Sequence, residues 1–164
     1  MRIIKSKQKL YYIFHKESAY NSVKWLIVMT FVLMYNKNII WHLSGGKNMK
    51  VYEIKEILDA EVICGEEFMD RDVFTACGSD MMSDVLAYVK EQAVLLSGLV
   101  NPQVVRTAEM MDMQCIVFVR GKQPDQGIVD LAKDRDIVLM TTKQPMFASC
   151  GMLYEKGLRG GALK

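Results

Sequence analysis

The stretch Ala93–Gly121 constrains the fold more than any other part of the chain. It reads as an apolar run, Ala93-Val-Leu-Leu-Ser97, then a helix-length amphipathic segment, then a second apolar run, Cys115-Ile-Val-Phe-Val119. Two such runs on either side of a helix predict a βαβ unit whose strands are buried on both faces of a parallel sheet. Asn101 is a good N-cap, and Pro102 takes the first helical position, where its missing N–H costs nothing. Val104, Val105, Ala108 and Met111 then face the sheet, which leaves Gln103, Thr107 and Glu109 outward.

The same grammar extends to both sides. Val51, Ile54, Ile57 and Leu58 fall at helical spacing over Val51–Asp59, and Glu61–Cys64 is a brief strand ending at Gly65. Glu66–Asp72 is polar and reads as a loop, and Val73–Cys77 as a second strand. Ser79 is the expected N-cap of the next helix, with Asp80 complementing its positive end and Met82, Val85, Leu86 and Val89 forming its apolar stripe. Beyond Gly121, Pro124 and Asp125 open a helix with Ile128, Leu131 and Ala132 inward, and Ile137–Met140 is the fifth strand. A last helix over about 145–156 puts Phe147, Cys150, Gly151 and Tyr154 on one face, with Gly157 as its C-cap and residues 159–164 as a flexible tail. The expected architecture is α/β in three layers, a mostly parallel sheet of about five strands with helices on both faces.

Charge divides the chain at Met49. Residues 1–48 carry eight Lys/Arg and one acid, whereas the rest carries 13 bases and 18 acids, so the globular part is acidic. It offers no basic face for nucleic acid. Both tryptophans and both histidines also precede Met49. The apolar block Trp25–Tyr35 is too short for a transmembrane helix, which needs about 20 apolar residues, and no cleavage site for a secretory signal follows it. Gly45-Gly46 codons can form the core of a bacterial ribosome-binding site just before Met49. Residues 1–48 are therefore expected to be upstream sequence read in frame, the alternative being a genuine basic, disordered or hydrophobic segment at a membrane surface.

Four cysteines, Cys64, Cys77, Cys115 and Cys150, show no CxxC spacing and sit mostly in apolar runs, as expected of reduced, buried thiols in a cytoplasmic protein. From Met49 onward there is no histidine, which removes the commonest general base and metal ligand. No Walker motif, GxGxxG after a strand or GxSxG elbow is present. No catalytic residue and no metal site is expected. Ligands of open parallel sheets bind outside the carboxyl ends of the strands. The candidate ligand-binding residues there are Gly78, Ser79, Ser97, Gly98, Arg120, Gly121, Thr141 and Thr142, with Asn101 and Arg106 on the adjoining helix. Glycines let a backbone approach a ligand, hydroxyls bond phosphate or ribose, and Arg120 with Lys122 supplies positive charge. An adenine nucleotide or a similar small anion suits such an edge. For Gly78-Ser79-Asp80 itself a plain capped turn is the favoured reading and an anion site at the glycine turn the alternative, since Asp80 would repel a phosphate.

Residues 49–158 resemble a DRTGG domain, a small α/β module similar to the N-terminal domain of HPr kinase/phosphorylase. The resemblance rests on Leu95-Leu-Ser-Gly98 with the Val104-Val-Arg-Thr-Ala108 helix, on Ile116-Val-Phe-Val-Arg-Gly121 and on Ile137-Val-Leu-Met-Thr-Thr142. It is closest to stand-alone versions from anaerobic bacteria, some encoded near iron hydrogenase subunits. Where the family carries Asp-Arg after the third strand this chain has Gly98-Leu-Val-Asn101, and where it carries Thr-Gly-Gly it has Val119-Arg120-Gly121, so only Gly121 of the naming residues remains. The resemblance implies a non-catalytic regulatory or ligand-sensing module. Two alternatives stand beside it: a protein-interaction or assembly accessory of a redox complex of iron hydrogenase type, and an enzyme of acyl-phosphate or phosphoryl chemistry. Apolar helix faces on so small a domain further predict a homodimer.

Overall fold

The computed structural model describes residues 47–89 and 92–160. The expectations for the first 46 residues lie outside them. The elements, in order, are β1 (Met49–Lys50), α1 (Val51–Leu58), β2 (Glu61–Cys64), a 3-10 turn (Glu66–Phe68), β3 (Asp72–Val73), β4 (Thr75–Gly78), α2 (Met82–Tyr88), β5 (Ala93–Ser97), α3 (Pro102–Met110), β6 (Cys115–Phe118), α4 (Gln126–Lys133), β7 (Val138–Thr141), α5 (Met146–Glu155) and β8 (Arg159–Gly160).

Every residue of β5, β6 and β7 is buried, which is why these strands read as unbroken apolar runs. They lie at the middle of a six-stranded sheet of order β2-β7-β6-β5-β4-β8. All neighbours are parallel except the edge pair β2 and β7, which is antiparallel with a register shift between Val62 and Cys64. Side chains alternate between the faces. Leu95, Ile116, Phe118 and Leu139 pack with Val85, Val104, Val105, Ala108, Ile128 and Ala132 of α2, α3 and α4. Val94, Leu96, Val117, Val138 and Met140 pack with Val51, Ile54, Leu58 and Leu153 of α1 and α5. The architecture is thus the three-layer α/β arrangement, with a six-stranded main sheet and, among the described residues, five α-helices.

Local differences from the sequence reading have physical causes. Val73–Cys77 is not one strand: Val73 pairs with Met49 in a separate two-stranded sheet, and Phe74 donates its N–H to Gln92 O at 3.0 Å before β4 begins. Arg159 and Gly160, expected in a flexible tail, pair with Thr75 and Ala76 as β8; residues 161–164 lie outside the described residues. Thr107, expected to face outward, is buried. Leu86, assigned to the inner stripe of α2, is 42% exposed. On α5 the inward face is rotated from the predicted one: Phe147 is 90% and Tyr154 58% exposed, Ser149 and Leu153 are buried, and of the predicted face Cys150 packs against the core. Lys156 rather than Gly157 is the C-cap of α5, and Gly157, at φ +105°, follows it in the left-handed region that glycine adopts without strain.

Two consequences of this topology position the strand ends. Because β4 to β8 are parallel, their carboxyl ends share one edge, with Ser97, Phe118 and Thr141 in register. The chain leaving β4, β5 and β6 enters helices of one face, whereas the chain leaving β7 enters α5 on the other.

Candidate functional site

The edge after β4, β5 and β6 converges on one carboxylate. Ser79 does not cap α2: its hydroxyl accepts from Met81 N at 3.0 Å, and Met81 is the N-cap. Asp80, freed from the helix end, reaches across the edge. Its Oδ1 accepts from Gly98 N at 2.5 Å and from the Ser97 hydroxyl at 3.1 Å. Its Oδ2 accepts from Arg120 Nη2 at 2.9 Å. Both members of this ion pair are 47% exposed. Burial alone would raise the Asp80 pKa, but the Gly98 N–H, Arg120 and Ser97 together outweigh it and hold the carboxyl below its ordinary value.

Arg120 is aimed by its backbone. It stands at φ +65° and Gly121 at φ +66°, so the chain turns sharply after β6, with Arg120 N bonded to Gln144 O at 2.9 Å and Gly121 N to Thr142 O at 2.8 Å. A non-glycine residue in this region costs about 1–2 kcal/mol, which the turn must offset. The guanidinium then lies directly over Gly98, where any Cβ would collide with it. Glycine at 98 thus lets the Arg120 side chain lie close, and any larger residue would displace that guanidinium from its place over the strand end. Lys122 Nζ donates to Gly98 O from the same side, and Thr141 Oγ1 donates to Lys122 O at 2.9 Å.

The remaining sequence candidates separate from this group. Asn101 is occupied as the N-cap of α3, accepting from Val104 N at 3.2 Å. Thr142 is buried, donates to Leu58 O at 2.7 Å and accepts from Gln144 N at 3.2 Å, so its hydroxyl ties α1 to the β7 end. At Gly78 a Cβ would stand 2.6 Å from Cys150 Sγ and 3.1 Å from Met146 Sδ, so this glycine serves the close packing of α5. Arg106 is exposed on α3 and forms no ion pair among the described residues. Asp80 is the member of the group that the sequence candidates lacked, and Lys122, expected from sequence to add positive charge beside Arg120, joins it through Gly98 O. No local signal marks Asp80 for this role, because its partners are 17, 18 and 40 residues away.

The site holds hydrogen-bond donors and one cation around an oxyanion position, and this arrangement can bind and orient an anion. Burial pushes all four cysteine thiols up, which makes them poor nucleophiles. Among the described residues no three His, Cys, Asp or Glu side chains come together as a metal site. No helix among them is long and apolar enough to cross a membrane.

The fold is similar to that of the CBS and DRTGG domains of the regulatory region of a Clostridium perfringens pyrophosphatase, solved with its activator diadenosine tetraphosphate. The TM-score is 0.52 and the identity 18%, over 77% of this chain and 54% of that one. This chain therefore spans about half the length of that structure. No curated protein matches the sequence. The family model for the DRTGG domain matches residues 53–155, which run from α1 to the end of α5 and contain every strand of the central sheet except the edge strand β8. The chain belongs to the DRTGG domain family.

Proposed function

We propose that this protein is a non-catalytic regulatory module that senses a small anionic effector, an adenine nucleotide, at the carboxyl ends of β4, β5 and β6. The observation that carries the reading is the convergence of Gly98 N–H, the Ser97 hydroxyl and the Arg120 guanidinium on the two oxygens of one carboxylate. Backbone and hydroxyl donors set beside a guanidinium suit a phosphoryl group, and charge-assisted bonds of this kind are the stronger class. The C. perfringens regulatory region, which contains a DRTGG domain beside CBS domains and was solved with diadenosine tetraphosphate, supports the choice of an adenine nucleotide. Of the residues named from sequence, Ser97, Gly98, Arg120 and Gly121 belong to this site. Thr142, Asn101 and Gly78 are assigned to the scaffold.

Calorimetric titration of the full chain with AMP, ADP, ATP and diadenosine tetraphosphate tests the reading. At least one should bind, and at a hundredfold excess over Kd should stabilise the fold by about 2.7 kcal/mol. Arg120→Ala should weaken that binding about tenfold or more, the worth of a hydrogen bond to a charged group. Absence of heat and of any thermal shift with all four would remove the nucleotide reading.

A second reading, a protein-interaction module that docks on a partner or on a second copy, draws on the exposed aromatic side chains Phe147, Tyr154 and Tyr88, the last 67% exposed. Sedimentation equilibrium of the full chain separates the cases: a mass above one chain supports a homodimer, and a monomer that also ignores nucleotides leaves a partner of another kind.

A further inference from the structure

The carboxylate of Asp80 occupies the position that an effector's charged oxygen would take. It accepts from the Gly98 N–H, the Ser97 hydroxyl and Arg120 Nη2, and so uses the three donors that converge at the strand ends. An anion cannot reach those donors while Asp80 holds them, and its own charge would be repelled. We propose that Asp80 is a displaceable internal ligand, which closes an oxyanion site built by Ser97, Gly98 and Arg120 until a phosphoryl group of the effector takes its place.

Three features of the structure fit displacement better than a fixed structural bridge. Asp80 lies in the bend between β4 and α2, outside both elements, so its side chain can leave without breaking a strand or helix. The carboxylate is half-exposed and has water to move into. Two of its three donors are held in place without it: Gly98 by the β5 end and by the Lys122 contact to its carbonyl, and Ser97 by β5 and by the bond from Leu99 N at 3.1 Å. The third, the Arg120 guanidinium, is carried by a turn pinned to Gln144 O and Thr142 O. The donor cradle is therefore built by the β5 end and the turn after β6, and Asp80 fills it. Displacement would also free the chain entering α2, which couples occupancy of the site to a helix on the surface.

The inference rests on the anion-binding reading above, but its test does not require a nucleotide. Full-length wild type, Asp80→Ala and Asp80→Asn are titrated with inorganic pyrophosphate by calorimetry, with thermal midpoints and circular dichroism recorded for each. Both variants should bind pyrophosphate at least about tenfold tighter than wild type, and adding Arg120→Ala to Asp80→Ala should abolish the gain. Asp80→Asn keeps the shape of the side chain and supplies the readout if Asp80→Ala fails to fold. Pyrophosphate binding that is equal or weaker in a folded variant overturns the proposal, even where wild type binds ATP. Tighter pyrophosphate binding with no response to any nucleotide upholds the internal ligand and removes the nucleotide as effector.

Discussion

The two ends of the same sheet edge use similar residues to opposite effect. After β7, the Thr142 hydroxyl is buried and saturated by Leu58 O and Gln144 N, so its polarity is spent on holding α1 and the following turn. After β5 and β6, Ser97, Gly98 and Arg120 direct their donors to a half-exposed carboxylate. The cause is topological. The chain leaving β7 must cross to the face that carries α1 and α5, and Thr142 fastens that crossing, whereas the loops after β4, β5 and β6 lie side by side. A small polar residue at a strand end becomes a site only when its hydrogen bonds are not already required by the fold.

Both ends rest on the same central strands, and the largest effect should show this. Phe118, fully buried in β6, stands in register with Ser97 on one side and Thr141 on the other. Phe118→Ala should destabilise by about 3–5 kcal/mol in chemical denaturation and impair both ends together. A loss confined to one end would show that they do not share a scaffold. Next in size, Thr142→Val leaves Leu58 O and Gln144 N without their buried partner and should cost about 1–3 kcal/mol. Its ligand affinity, measured well below the melting temperature, should stay within about twofold of wild type; a larger change would break the division between the two ends.

The smallest effect belongs to Asp80→Asn, because an exposed ion pair contributes less than about 1 kcal/mol. Its pH dependence is the sharper observation. The folded-state pKa of Asp80 is depressed, so the carboxylate's contribution is present above the unfolded-state pKa and is lost as pH falls through the folded value. Wild type should therefore be the more stable at neutral pH, and the difference should vanish on acidification below the usual carboxylate range. Thermal midpoints of the two proteins across that range check it, and a gap that persists in acid would assign the effect to shape rather than charge.

Much of the fold was legible in the sequence where local and global signals agree. The Asn101-Pro102 start of α3 and the apolar runs of β5 and β6 are such places, and the strand ends at Ser97-Gly98 and Arg120-Gly121 follow from them. Two-residue strands such as β1, β3 and β8 have no periodicity to read, and the antiparallel direction of β2 is a tertiary fact. Helix α5 is apolar nearly all round, through Met146, Phe147, Cys150, Met152, Leu153 and Tyr154, so spacing could not choose its inner face. The role of Asp80 is hidden in the sequence for a related reason: an acid before a helix is ordinarily a dipole partner, and only the turn that places Arg120 over Gly98 gives it another.

The most direct test of a site at the β4, β5 and β6 ends is a proton–nitrogen NMR titration of the isotope-labelled full chain with ATP. The account predicts that the amides of Gly98, Arg120 and Asp80 shift together and saturably, while that of Thr142 stays in place. Saturable shifts centred on Thr142 and α5, with Gly98 and Arg120 unmoved, would contradict it.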